Sequence, residues 1–337
     1  MGVEMRLPGR NAGAMPTLTP EELRRLRESM PDLITDQFET IGAAVDGCDV
    51  IVGANAHQYA APSIAEHAGI GCVTAVYAPV AIPSTEQWHD TAKTWNERAL
   101  DRINHNRGRL GMQPIVDVLD YVLTDHTWLA ADAMLALVRA APGRQIFQTG
   151  TWVLGDPTPL SEDLEAFIGS GEPPIYAGFG SMPAAGDATR VLIEAARAVG
   201  RRIIVSRGWA DLDLIDDAPD CIAVGDVSHD VLFPRVAVVI HHGGAGTTAA
   251  AARAGVPQLI TPMFGDQFYW ASRIVDLGVG ATTSHTTMTE ESLTGALRAV
   301  HDSAVIARAR RLATQVRWDG AEVAARRLEA EYLRDAL

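Results

Sequence analysis

"VVIHHGGAGTTAAAARAGVPQLI", residues 238–260, decides the fold. The run that leads into it, "VAVVI" (236–240), is apolar without alternation, as a parallel strand covered on both faces requires. "TTAAAARA" (247–254) is built of helix formers and is followed by Gly255, the residue type that closes helices in a left-handed conformation. Between them His241-His242-Gly243-Gly244-Ala245-Gly246 must turn the chain from strand to helix. Glycine permits the positive φ such a turn needs and lets a ligand approach the backbone. The first amides of a helix have no internal partner, and the macrodipole makes that end positive. A diphosphate fits there, held by amides and by the hydroxyls of Thr247 and Thr248. Glycine loops also follow strands where nothing binds, so the loop alone does not decide. It is not a P-loop, since no Gly-Lys-Ser/Thr follows, and it lacks the G-x-G-x-x-G order of a dinucleotide site.

Outward from this loop, short β-rich runs alternate with helical patterns, which predicts βαβ units and parallel sheets. In the second half strands are expected at "IYAGF" (175–179), "RIIVS" (202–206), "CIAVG" (221–225), "VAVVI" and "PQLIT" (257–261), with helices between and three more after. In the first half Thr19-Pro20-Glu21-Glu22 reads as a helix start. Leu33, Ile34, Phe38, Ile41 and Val45 recur at helical spacing before the strand "CDVIVG" (48–53). A helix at Ser63–Ala68 stopped by Gly69, a strand "CVTAVYA" (72–78), a polar helix from about Trp88 to Leu110 and a strand "RQIFQTG" (144–150) follow. "GDPTPLSEDLEAFIGSGEPP" (155–174) holds four prolines and three glycines around one short amphipathic helix, a composition suited to a junction.

The expected organisation is α/β, two doubly wound domains facing a cleft. Residues 1–154 form the first, 155–174 the linker and 175–318 the donor-binding second. Residues 319–337 form a terminal helix returning to the first domain.

Three further features fall at strand ends of the second domain. Ser181 in "GFGSM" offers a hydroxyl to phosphate. Arg207 and Trp209 in "SRGW" supply a cation and a stacking surface. Asp266 and Gln267 in "FGDQF" pair a carboxylate with a carboxamide, suited to several sugar hydroxyls. Singly they read as a turn serine, a surface ion pair and a helix cap; together at strand ends of one domain they read as a site.

The 337 residues carry a net charge of −14, which argues against nucleic acid or an anionic membrane as partner. No apolar run approaches the roughly 18–20 residues of a membrane span, and the start lacks the apolar core of a signal peptide. Cys48, Cys72 and Cys221 show no metal spacing and are expected to be buried, reduced thiols of a cytoplasmic protein.

The combination "GFGSM", "SRGWADL", "LFPRVAVVIHHGGAGTTAAAARAGVPQ" and "DQ" resembles the GT-B glycosyltransferases of the large nucleotide-sugar family, above all the actinobacterial enzymes that glycosylate natural products such as glycopeptide antibiotics. "WNERALDRINHNRGRLGMQPIVDVLDY" and "LAADAML" resemble the same group. The resemblance implies a dTDP- or UDP-sugar donor in the second domain and a small hydroxylated acceptor, in a monomer or weak dimer. His241, the amides of Gly243, Ala245 and Gly246, and the Thr247 hydroxyl are implied around the diphosphate, with Ser181 on its other side. The main chain near Val227 is implied at the pyrimidine, beside Arg207 and Trp209, and Asp266 and Gln267 at the sugar. It further implies inversion by direct displacement, with no metal and no cofactor. "DLD" (211–213) resembles a D-x-D metal motif but lies in an acidic connecting segment, and adjacent His241 and His242 rarely converge on one ion.

The family begins with a strand and a glycine-rich loop that carries the general base, and no such loop stands here. The expectation is an N-terminal domain lacking its first strands and helices, with the base unassigned; His57, His89 and Asp90 are the acceptor-side candidates. The missing loop motivates a second reading, a donor-binding but catalytically incompetent auxiliary protein. A third is an epimerase acting on a UDP-sugar.

Overall fold

The computed structural model describes residues 33–138, 144–180, 187–208, 214–285 and 287–333. The expected helix start at Thr19–Glu22, Ser181, Trp209 and the "DLD" segment lie outside them. The chain forms two compact units, one of Met1–Leu129, Val138–Gln148 and Ala324–Leu337, the other of Ala130–Leu137 and Thr149–Val323.

The first unit holds four parallel strands, β1 (Val50–Ala54), β2 (Gly71–Val76), β3 (Thr127–Leu129) and β4 (Ile146–Gln148), in the order β1-β2-β3-β4. The helix over 33–44 buries Ile34 and Phe38, and the helix Ala61–Ala68 is closed by Gly69 at φ 69°. β3 was not expected from sequence, because three residues carry no period to read. The polar helix starts at Thr85, three residues before its expected start, since Gln87 Oε1 accepts the Ser84 amide as a reciprocal cap. It is not continuous either. A π-helical turn, Asn96–Leu100, separates Thr85–Trp95 from Asp101–Arg109. The carboxamide of Asn96 there binds Asp117 and the Val118 amide. The helix Gly320–Tyr332 stands against β3 and β4, with the Arg327 guanidinium 4.0 Å from the Phe147 ring.

The second unit holds β5 (Ile175–Gly178), β6 (Ile203–Ser206), β7 (Cys221–Val224), β8 (Val238–His241), β9 (Gln258–Ile260) and β10 (Gly280–Thr282). All are parallel, in the order β7-β6-β5-β8-β9-β10. β10 was also not expected, because its Gly280 reads as a breaker. A Cβ there would meet the Gln258 carbonyl at 2.1 Å, so only glycine lets the edge strand pair. Ile175, Ala177, Val205, Val238 and Ile240 cluster with Leu192 and Leu297 of the helices Ala188–Ala198 and Glu290–Val300. Tyr176, Ile204 and Val239 cluster with Leu164 of the helix Glu162–Gly169 and Ala251 of the helix Ala245–Ala254. Alternate residues of each strand thus enter different cores, and the sheet is buried on both faces. Four helices, Gln267–Asp276, Glu290–Val300, Ser303–Ala313 and Gly320–Tyr332, follow β9, one more than expected.

The strand order reverses between β5 and β8, where Gly178 pairs with His241. From that point the connections run in opposite directions, leaving a crevice at the carboxyl ends of two adjacent strands.

Candidate functional site

The loop after β8 sits at this reversal point. Gly243 has φ 92°, and a Cβ on it would lie 2.7 Å from Ile260 Cγ2 and 3.2 Å from the Gln267 carbonyl oxygen. Gly244 caps the helix Ala245–Ala254, whose first internal bond runs from the Thr248 amide to the Gly244 oxygen at 2.9 Å. The amides of Ala245, Gly246 and Thr247 therefore have no helical acceptor, and with the macrodipole such an arrangement can receive an anion. A Cβ at Gly246 would touch nothing within 4 Å, so the space above this amide is open.

The two histidines divide their roles in a way the sequence did not show. His241 is fully buried. Its Nδ1 accepts the Gly243 amide at 3.1 Å, which assigns the proton to Nε2, 3.0 Å from Gln258 Oε1. Gln258 passes the chain on to the Thr248 oxygen at 3.3 Å. Burial, with the neighbouring His242 charge adding to it, lowers the His241 pKa to about 3, so the ring is neutral. Both ring nitrogens are spent inside the protein. In this geometry the imidazole implied at the diphosphate lies beneath the loop and fixes the Gly243 amide.

His242 occupies the upper position. A Cβ on Gly244 would stand 2.5 Å from His242 Nε2 and one on Gly180 3.5 Å from its Cε1. The ring thus lies between the loops that leave β8 and β5. Its Nδ1 is buried without a hydrogen-bond partner among the described residues. Burial lowers its pKa, and the Asp266 carboxylate works against that shift. Sequence reasoning considered His242 only as half of a metal pair; one signal, its place beside a φ-positive glycine, was legible but does not say which histidine faces out.

The remaining expected residues are placed as follows. Thr247 is half-buried in the first helical turn. Thr248 is buried and donates its hydroxyl to the Gly244 oxygen at 2.9 Å, so its hydroxyl is spent on the helix rather than offered to a phosphate. Asp266 Oδ2 accepts Trp270 Nε1 at 2.9 Å, and among the described residues Oδ1 has no partner. Gln267 is buried, and its Oε1 accepts the amides of Met263 and Phe264 at 2.7 and 3.2 Å, which closes the loop after β9. Arg207 is exposed at the end of β6, its amide bonded to the Val224 oxygen. Val227 packs against the core that holds Tyr176 and Phe233.

Among the described residues one group of potential metal ligands converges, Asp216, Asp220 and Cys221. The Arg197 guanidinium already fills it, donating to both carboxylates at 2.8–2.9 Å. Those hydrogen bonds hold the Asp216 pKa down at about 2, and burial pushes the Cys221 thiol up to about 11. Cys72 is likewise pushed up to about 11 by burial, whereas Cys48, expected to be buried, is exposed after the first helix, where its thiol donates to the Ala44 oxygen. Of the acceptor-side candidates, His57 and Asp90 line one cavity of the first unit, and His89 is not among its lining residues.

Residues 190–329 match the family described as Erythromycin biosynthesis protein CIII-like, C-terminal domain. The chain is 44% identical over 332 residues to the vancomycin aglycone glucosyltransferase of Amycolatopsis orientalis, covering 92% of this chain and 81% of that one. It is 41% identical over 301 residues to the dTDP-epi-vancosaminyltransferase of the same organism, covering 86% and 74%. Among solved structures, the glycosyltransferase of kitacinnamycin superposes with a TM-score of 0.71 at 18% identity, covering 95% of this chain and 85% of that one. The glycosyltransferase VinC in complex with dTDP superposes with a TM-score of 0.66 at 19% identity, covering 94% and 85%.

Proposed function

The chain belongs to the family of natural-product glycosyltransferases that includes those glycopeptide-antibiotic enzymes, and from that premise we propose that it moves a hexose or deoxyhexose from a dTDP- or UDP-sugar to a hydroxyl of a small natural-product or glycolipid acceptor. The acceptor hydroxyl gives up its proton to a base and its oxygen bonds the anomeric carbon as the bond from that carbon to the diphosphate oxygen breaks on the opposite face, its electron pair leaving with the diphosphate, so the configuration inverts. The negative charge of the diphosphate, which grows by one as the bond breaks, meets the amides of Ala245, Gly246 and Thr247, with the Thr247 hydroxyl beside them. His242 supplies a ring nitrogen from the β5 side, where Ser181 is also assigned, and His241 holds the Gly243 amide in place. Asp266 receives the sugar hydroxyls through Oδ1, with Gln267 shaping the loop that carries it. The nucleoside lies along Arg207, Trp209 and the main chain near Val227. These groups neutralise the leaving group without a metal ion.

The observation that carries the reading is a set of three helix amides without a helical acceptor, flanked by the His242 ring, where the strand order reverses. The dTDP bound to the structural neighbour VinC supports the choice of nucleotide. Turnover of dTDP- and UDP-glucose, followed as nucleoside diphosphate release with and without EDTA, tests it. Release that persists in EDTA and falls at least about tenfold in Asp266→Asn is expected. Release abolished by EDTA overturns metal independence, and a product of retained anomeric configuration overturns direct displacement.

A further inference from the structure

β5 carries one polar side chain into the core of the second unit. Tyr176 is 4% exposed, and its ring belongs to the same cluster as Ile204 and Val239. The phenol runs along the strand towards its carboxyl end. A Cβ on Gly178 would stand 2.6 Å from the Tyr176 hydroxyl and 3.0 Å from Ser206 Cβ, so glycine at this position is what admits the hydroxyl. Gly178 is also the residue that pairs with His241 where the strand order reverses. The phenol therefore ends directly beneath the strand ends that carry the donor loops.

A buried hydroxyl is costly unless it is hydrogen-bonded. This one has two partners. His229 Nε2 lies 3.4 Å away, and the Ser206 hydroxyl bonds the same oxygen. Burial pushes the Tyr176 pKa up, with the Ser206 bond working against it, and burial lowers the His229 pKa against the charges of Asp230 and Asp156. At neutral pH both groups are uncharged, so the phenol donates to Nε2, which assigns the ring proton to Nδ1. Packing fixes the directions. The His229 ring stacks on Phe233 at 4.2 Å with planes 15° from parallel, and Tyr176 meets Phe233 at 5.1 Å and His229 at 5.7 Å.

His229 begins the helix His229–Leu232 directly after the loop 225–228 that leaves β7. In that loop Gly225 and Asp226 are exposed and Val227 is half-buried, and a Cβ on Gly225 would meet nothing within 4 Å. Ser228 is buried, and its hydroxyl donates to the Asp156 oxygen. The loop is thus held from below at its last residue and at the imidazole that follows.

We propose that Tyr176 is a positioning residue for the donor's nucleoside: through His229 its phenol sets the height of the main chain around Val227, on which the pyrimidine lies. The proposal rests on the nucleoside placement given under Proposed function and adds the group that enforces it from inside the core.

Calorimetric titration of the full chain with thymidine and with inorganic pyrophosphate tests it, alongside thermal melts. In Tyr176→Phe the thymidine Kd is expected to rise about three- to tenfold, the scale of one neutral hydrogen bond, while the pyrophosphate Kd stays. His229→Phe keeps a ring on Phe233 but loses the acceptor, and should reproduce that loss. Tyr176→Phe/His229→Phe should be no worse than either single change, because both remove one interaction. His229→Gln gives up the stack but returns a carbonyl for the phenol, and should bind thymidine within about twofold of the parent. A Tyr176→Phe protein that melts lower yet binds thymidine as the parent does overturns the proposal, as do equal losses for thymidine and pyrophosphate, additive losses in the double variant, or a His229→Gln protein as weak as His229→Phe. A parent chain that binds pyrophosphate but no thymidine removes the nucleoside placement itself, and the role of Tyr176 falls with it.

Discussion

Changing His241 and His242 separately to alanine distinguishes a histidine that holds the loop from one that meets the ligand. His241→Ala strips the Gly243 amide and Gln258 Oε1 of their partners in a site with no solvent. At about 1–3 kcal/mol for each orphaned buried group, the loss is about 2–6 kcal/mol, before any cavity cost. For a unit of this size each kcal/mol lowers the midpoint by about 2–4 °C, so a fall on the order of 10 °C is expected. His242→Ala removes a half-buried ring whose Nδ1 has no partner among the described residues, and stability should change by less than about 1 kcal/mol. Its effect falls on the ligand. One lost hydrogen bond to a charged diphosphate is worth about 1.5–3 kcal/mol, about 10- to 150-fold in Kd. Differential scanning calorimetry of both variants, with calorimetric titration by dTDP and by thymidine, reads the two effects apart. Thymidine affinity should be indifferent to His242. A His241→Ala protein that melts normally but loses dTDP, beside a His242→Ala protein that binds it normally, refutes the assignment.

Four other outcomes follow from the same geometry. Gly243→Ala should cost about 2–4 kcal/mol through its positive φ and the contact with Ile260, whereas Gly246→Ala, in open space, should leave the midpoint unchanged or raised; thermal melts of the pair compare them. Lowering the pH should erode stability through His241: its pKa falls on folding, so its contribution is complete above the unfolded value near 6.5. That contribution is lost towards about 3, by up to about 1.4 kcal/mol per pH unit, and a His241→Asn protein should show a flatter curve in denaturant titrations from pH 7 to 5. Arg107, 3% exposed and bonded to Glu66, Tyr121 and Ser63, should cost about 2 kcal/mol when changed to Met; its hydrogen bond holds the Glu66 pKa low, so the parent alone should lose stability as pH falls through that lowered value. Gly71→Ala would set a Cβ 2.1 Å from the Tyr332 ring and should destabilise the first unit by about 1–2 kcal/mol, most of it recovered in Gly71→Ala/Tyr332→Ala.

The strands legible in the sequence were β1, β2, β4 and β5 to β9, which stand in apolar runs bounded by turn or helix signals. β3 and β10 were illegible because only pairing with a neighbour that the chain does not show beside them makes them strands. The break between the two polar helices hid for the same reason: Asn96 is committed to Asp117 and Val118, over twenty residues away. Among the site residues, Gly243, Gly244 and Ala245 were legible, since a strand-to-helix turn demands their conformations. Gln258 was not, because it reads as the polar end of a strand until His241 is seen to need a buried acceptor.

By itself the sequence determined that an apolar strand meets a helix across glycines, and so that amides lie open to an anion. Backbone conformation and local period decide such things within a dozen residues. Which strand stands next to which, and hence that the order reverses between β5 and β8, only the tertiary structure decided. So too the direction of two adjacent imidazoles, one sunk onto Gln258 and the other raised beside Gly180. Direction depends on partners distant in the chain, and burial by them selects which ring is neutral scaffold and which stands between the loops that leave β8 and β5.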